Sequence, residues 1–249
     1  MPRIPRLLFT LVIALAPTSS GSAWQMDSMP GMDMGGKGSK GGKGDMGDMG
    51  PSMAAMAGHM IMTPVRPKQP GDEERAKAVV AEAEAAMERY KDSRNAIADG
   101  YVFANPEVKQ TQYHFMNEPN GIAANTHFDP TRPTALLYVK PHKDFKLEGV
   151  MYTADPQATE DDLNQRIPLS IARWHEHVNF CAAPADLTNE YFGAHPKFGM
   201  FGSIKTKEAC DAARGNFHPY VFTWMIHVFP YEKDFKNVFS MNDDVMHVK

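Results

Sequence analysis

Several absences bound this chain before any motif is read. Cysteine is nearly missing: among 249 residues only Cys181 and Cys210 occur, which rules out a disulfide-dense scaffold and a cysteine-only metal site. No long hydrophobic run exists. The most apolar stretch, Leu7 to Ala16, falls well short of the ~20 residues needed to span a bilayer. Neither sign of charge dominates, with 26 Lys and Arg against 30 Asp and Glu and a net charge of −4. The charges are well mixed, so a nucleic acid is not an expected partner. There is no glycine-rich phosphate loop, no Gly-x-Ser-x-Gly, no His-Glu-x-x-His and no internal repeat after residue 70. The common routes to nucleotide binding, serine hydrolysis and zinc proteolysis are therefore not written here.

The first part of the chain is set apart by composition. Arg3 and Arg6, the short apolar run and the small residues from Pro17 to Ala23 read as a secretory signal over residues 1–23. No membrane span is expected once it is cleaved. Residues 24–70 are rich in Gly, Met, Lys and Asp and hold no branched aliphatic residue before Ile61. Such a segment buries too little apolar surface to offset its ordering entropy and is expected to be a disordered arm. Its methionines fall into two groups: Met26, Met29, Met32 and Met34, then Met46, Met49, Met53, Met56, Met60 and Met62, with His59 inside the second. Thioether sulfur is soft and uncharged and selects Cu(I). A plain linker and a sink for oxidants are the competing readings.

Residues 71–249 make a chain long enough for one domain with its own core. Asp72, Glu73 and Glu74 suit a helix start, and apolar residues then recur at steps of three and four. The spacing predicts one amphipathic helix to about Asp99, with Gly100 as its stop. Beyond it the pattern changes to short β-like runs at 111–116, 135–140, 146–153, 171–180 and 219–229. Short helices are expected over Glu160 to Arg166, capped by Thr159, and over 205–214. Asn117 to Gly121 reads as a turn. The expected architecture is α+β: a long N-terminal helix packed on a mainly antiparallel sheet.

The sharpest chemistry lies in Trp174-His175-Glu176-His177-Val178-Asn179-Phe180-Cys181. On a strand, residues two apart share a face, so both imidazoles point the same way and Glu176 points opposite. His227 and His114 each sit in a further apolar run. His114, His175, His177 and His227 are the candidate metal ligands, with His127 and Glu176 as second choices. The competing expectation is a hydrogen-bonded network that fixes strand ends. His142, His195, His218 and His247 are expected to be exposed. In an exported chain an even pair of cysteines most simply forms a disulfide. Cys181 as a thiolate ligand beside the histidines is the alternative, and the two readings exclude each other.

Several landmarks occur together: Ala96-Ile97-Ala98-Asp99-Gly100-Tyr101, Tyr113-His114-Phe115-Met116-Asn117, Phe128-Asp129-Pro130-Thr131-Arg132-Pro133-Thr134-Ala135-Leu136-Leu137-Tyr138, Leu147-Glu148-Gly149-Val150-Met151-Tyr152, Trp174-His175-x-His177-x-x-x-Cys181 and Trp224-Met225-Ile226-His227-Val228. This set resembles a family of uncharacterised exported bacterial proteins, over most of residues 90–230. The resemblance implies a shared domain and supplies no activity. The arm, separately, resembles the Met-rich tracts of exported copper-handling proteins. The combined expectation is an exported metal-binding protein, with copper as the ion and zinc as the alternative. Two other classes remain: a metal-dependent enzyme (hydrolase or copper oxidoreductase) with an open three-histidine site, and a metal-free interaction module.

Overall fold

The structure is a computed structural model that describes residues 56–103, 112–141, 143–193 and 195–240. The expected signal, the arm up to residue 55, and His142 and His247 lie outside the described residues.

Strands β1 (Met60–Met62), β2 (Val102–Phe103), β3 (Tyr113–Met116), β4 (Ala135–Val139), β5 (Lys146–Thr153), β6 (His175–Ala182), β7 (Asn216–Tyr220) and β8 (Met225–Val228) form one eight-stranded sheet. Its order is β1-β6-β8-β5-β4-β3-β2, with β7 paired to β6, and every pairing is antiparallel. Among the described residues the α-helices are α1 (Asp72–Met87), α2 (Ser93–Ala98), α3 (Glu118–Ala124), α4 (Glu160–Arg166) and α5 (Lys207–Ala212). The molecule is thus α+β with a mainly antiparallel sheet.

Strand β4, Ala-Leu-Leu-Tyr-Val, is buried along its whole length. That pattern belongs to a central strand covered on both faces. On one face Leu136 and Tyr138 join Val150, Tyr152, Trp174, Ile226 and Val228, over which Ala76, Val79, Ala83 and Met87 of α1 pack. Ala135 and Leu137 point the other way, into a smaller cluster with Met151, Met225 and Phe229. The functional candidates stand on this second face.

The structure divides what the periodicity reads as one helix. After α1 a 3₁₀ turn (Glu88–Lys91) leads to Asp92 at φ −90° and ψ 107°, whose carboxylate accepts from the Arg94 amide and opens α2. A capping aspartate competes with continued helix because its side chain satisfies the donor that the turn before would otherwise hold. Gly100, at φ 84°, follows α2 as the expected stop. The expected run at 219–229 also divides: β7 pairs with the C-terminal half of β6, and β8 pairs with β5. The expected turn at Asn117 is a helix start, with the Asn117 side chain accepting from the Asn120 amide and Pro119 in the first turn. Helix α4 is capped by Thr159 as expected, and Asp162 completes a reciprocal capping box with it.

The expected boundary at residue 71 is corrected. Composition places residues 56–70 in the disordered arm, yet β1 lies within them and pairs with β6. Met56 is buried, and His59 is fully enclosed between the Asn179 and Gly202 carbonyls, at 3.0 and 2.8 Å. Thr63 and Arg66 continue the attachment through backbone bonds to Trp174 and Leu169. Composition misjudged this stretch because main-chain pairing with β6 supplies what branched side chains do not.

Candidate metal centre

The strand registers place the four candidate histidines on one face. Directly opposed residues in an antiparallel ladder share a side of the sheet. Met60 stands opposite His177 and Met62 opposite His175. His175 in turn stands opposite Met225, His227 opposite Met151, and His114 opposite Leu137. By alternation His114 shares its face with Met116, and Met225 with His227. Four strands therefore each contribute a pair two residues apart: Met60 and Met62, His114 and Met116, His175 and His177, Met225 and His227.

The rings form a connected series. Centroid separations are 5.8 Å from His114 to His227, 5.3 Å from His227 to His175, and 5.4 Å from His175 to His177. Strands β3 and β8 are three ladder steps apart, which is ~14 Å on a flat sheet. The approach of His114 to His227 therefore needs a sheet curled toward this face and side chains that lean inward. Gly149 makes room for that inward packing. A Cβ there would lie 2.5 Å from the Phe229 ring and 2.6 Å from the Val228 carbonyl. Phe229 lies 6.2 Å from His227, and Phe222 lies 5.8 Å from His177, so aromatic rings flank the series.

His175 is buried, while His114, His177 and His227 are half-buried. Three buried ring nitrogens have no hydrogen-bond partner: Nδ1 of His175, Nδ1 of His177 and Nε2 of His227. Burial is the main reason all four rings are held neutral. It pushes His114 and His177 down to about 4 and His227 down to about 3, with the neighbouring histidines adding to the effect at His177 and His227. His175 is pushed well below its ordinary range, first by burial and then by His227, His177 and His114. A neutral imidazole without a partner presents a lone pair, which is the form that binds a metal. Orphaned buried nitrogens of this kind are costly unless something else satisfies them.

As the side chains stand, no group of three or more His, Cys, Asp and Glu among the described residues is poised to hold an ion. Centring an ion here takes ring rotation, thioether donors, or both.

The other candidates separate from this face. Glu176 pairs with Ile61 on the opposite side, buried, with burial raising its carboxyl. His127 is exposed and lines a polar surface cleft of about 530 Å³ with Asp155, Asp162 and Arg166. His195 and His218 are exposed. Cys181 and Cys210 form a disulfide, 29 residues apart with Cα atoms 5.7 Å apart, which removes Cys181 as a thiolate ligand. Of the arm's methionines, Met56, Met60 and Met62 belong to the fold; Met26, Met29, Met32, Met34, Met46, Met49 and Met53 lie outside the described residues. Reading the sequence for histidines alone missed Met116, Met151, Met225 and Gly149. The available signal was the repeated spacing of His and Met two apart on β-like runs.

No family model, no curated protein and no solved structure matches this chain. The functional reading therefore rests on the geometry.

Proposed function

We propose that this is an exported copper-binding protein that holds the ion on the sheet face carrying His114, His175, His177 and His227. The observation that carries this reading is the shared face itself, with four neutral imidazoles in series, three of their buried nitrogens unpartnered, and methionines interleaved. Imidazole suits copper and zinc alike, whereas thioether tilts the set toward copper. Capture by the methionines before residue 56 and passage to this face would make the protein a copper store or carrier. Export is supported by the signal-like start and by the disulfide, which persists in oxidising compartments. Among the described residues no helix is long and apolar enough to cross a membrane.

A second reading draws on the half-exposure of His114, His177 and His227. A site reached by solvent can keep an open coordination position, where a bound water is activated for hydrolysis or copper does redox work.

The test is metal content and affinity of the mature protein, beside His175→Ala/His177→Ala and a version lacking residues 24–55. Copper bound by the full protein and lost with the histidine pair, while circular dichroism shows a retained fold, is the expected result. Copper lost only with residues 24–55 would leave the histidines structural. No metal in any version would leave an interaction module.

A further inference from the structure

Strand β1 is three residues long, lies at the edge of the sheet, and is fastened from both sides. Before it, His59 sits fully buried between two carbonyls, the Asn179 side-chain amide donates to the Gly58 carbonyl at 2.9 Å, and Lys205 donates to the Ala57 carbonyl. After it, the Thr63 amide donates to the Trp174 carbonyl, and the Trp174 amide donates back to the Thr63 hydroxyl. Asn179 holds φ 58°, a left-handed conformation that asparagine tolerates better than most residues. That much anchoring for so short a strand fixes the backbone register that sets Met62 across from His175 and Met60 across from His177. Both methionines are half-buried, and Met60 packs beside Met56, Phe180 and Met200.

The donors named on this face bind without charge: an imidazole ligates through its neutral form, a thioether carries none, and Glu176 lies on the other side of the sheet. A divalent ion enclosed by neutral donors keeps both of its charges uncompensated in a partly buried place, whereas a monovalent ion keeps one. Soft sulfur beside imidazole favours the same choice.

We infer that β1 is part of the metal site, with Met60 and Met62 serving as thioether ligands beside His177 and His175 for a soft monovalent ion, Cu(I). This rests on the proposed copper function and specifies its donors and the charge of its ion. The two methionines thus belong to the folded site and act apart from those earlier in the chain.

The experiment uses the full mature chain with Met26, Met29, Met32, Met34, Met46, Met49 and Met53 changed to leucine, so that binding reports on the fold alone. In that background, Met60→Leu/Met62→Leu preserves side-chain volume. Cu(I) affinity is read by competition with a chromophoric Cu(I) chelator under anaerobic reductant-free conditions, Zn(II) affinity by a fluorescent zinc indicator, and the copper first shell by X-ray absorption. The expected result is a Cu(I) affinity weakened at least tenfold, sulfur lost from the first shell, and any Zn(II) binding unchanged within threefold. Unchanged Cu(I) affinity in Met60→Leu/Met62→Leu, together with loss in His175→Ala/His177→Ala, overturns the inference and leaves the copper function standing. Cu(I) binding absent from the background protein itself overturns both.

Discussion

Gly149 is the residue at which the sheet admits Phe229. With a Cβ 2.5 Å from that ring and 2.6 Å from a backbone oxygen, Gly149→Ala forces both to move. The expected cost is about 1–3 kcal/mol, the range for overpacking a filled site, read as a lowered urea midpoint. The histidines make a prediction of a different kind. In the unfolded chain they titrate near 6.5, while in the fold His114 and His177 are held to about 4 and His227 to about 3. Between those values the unfolded chain binds protons that the fold excludes, so stability rises with pH there and falls as the solution is acidified from about 6.5 toward 4. Above about 7 both states are neutral and the groups contribute no slope. Each such ring costs about 1.4 kcal/mol per pH unit inside the window. Urea midpoints of metal-free protein at several pH values check this, and His175→Ala/His177→Ala should flatten the profile. An equally steep profile in that variant would show that these rings do not supply it.

Among the elements, β1 shows what composition conceals. The run around Gly58-His59-Met60 carries no branched aliphatic residue before Ile61, and its place in the sheet depends on the edge that β6 offers. His59→Ala leaves the Asn179 and Gly202 carbonyls without their partner inside the fold. A loss of about 1–3 kcal/mol is expected, together with faster amide exchange across Met60–Met62 and little change in β4 and β5. Uniform loss of protection across the sheet would mean that β1 does not open on its own. Strands β4 and β5 were legible because branched, aromatic and leucine side chains mark a twice-covered strand. The Thr159 cap was legible because capping is local chemistry. The break at Asp92 was not, because the apolar recurrence runs on through Tyr90 and Ile97 and hides a local cap; the split between β7 and β8 was not, since it depends on which strand each half meets. The histidine pair on β6 was visible from its spacing, whereas its approach to His227 and His114 depends on strand order, which no local pattern records.

For the molecule as a whole, the Cys181–Cys210 bond ties the end of β6 to α5 across a loop of 29 residues. Gly215 packs against both sulfurs, so closely that a Cβ there would clash with Cys181 Sγ and Cys210 Sγ. Reduction should lower global stability by roughly 3–4 kcal/mol on the chain-entropy estimate. Thermal melts with and without reductant check this, and a melting temperature unmoved by reduction would show that the loop is held closed by its packing. The attachment of β1 has a further consequence, which is one of local concentration. Because Met60 is fixed on the sheet, Met53, about seven residues earlier in the sequence, can stray no more than ~25 Å from it at full chain extension. A thioether tethered within that chain length of the sheet corresponds to an effective concentration of millimolar order or above. If the sheet holds copper as proposed, an ion that leaves it would be recaptured by its own chain more often than by free solutes. Residence on the protein should accordingly outlast the lifetime of any single site, and the chain would release its ion chiefly to a partner able to displace several sulfurs at once.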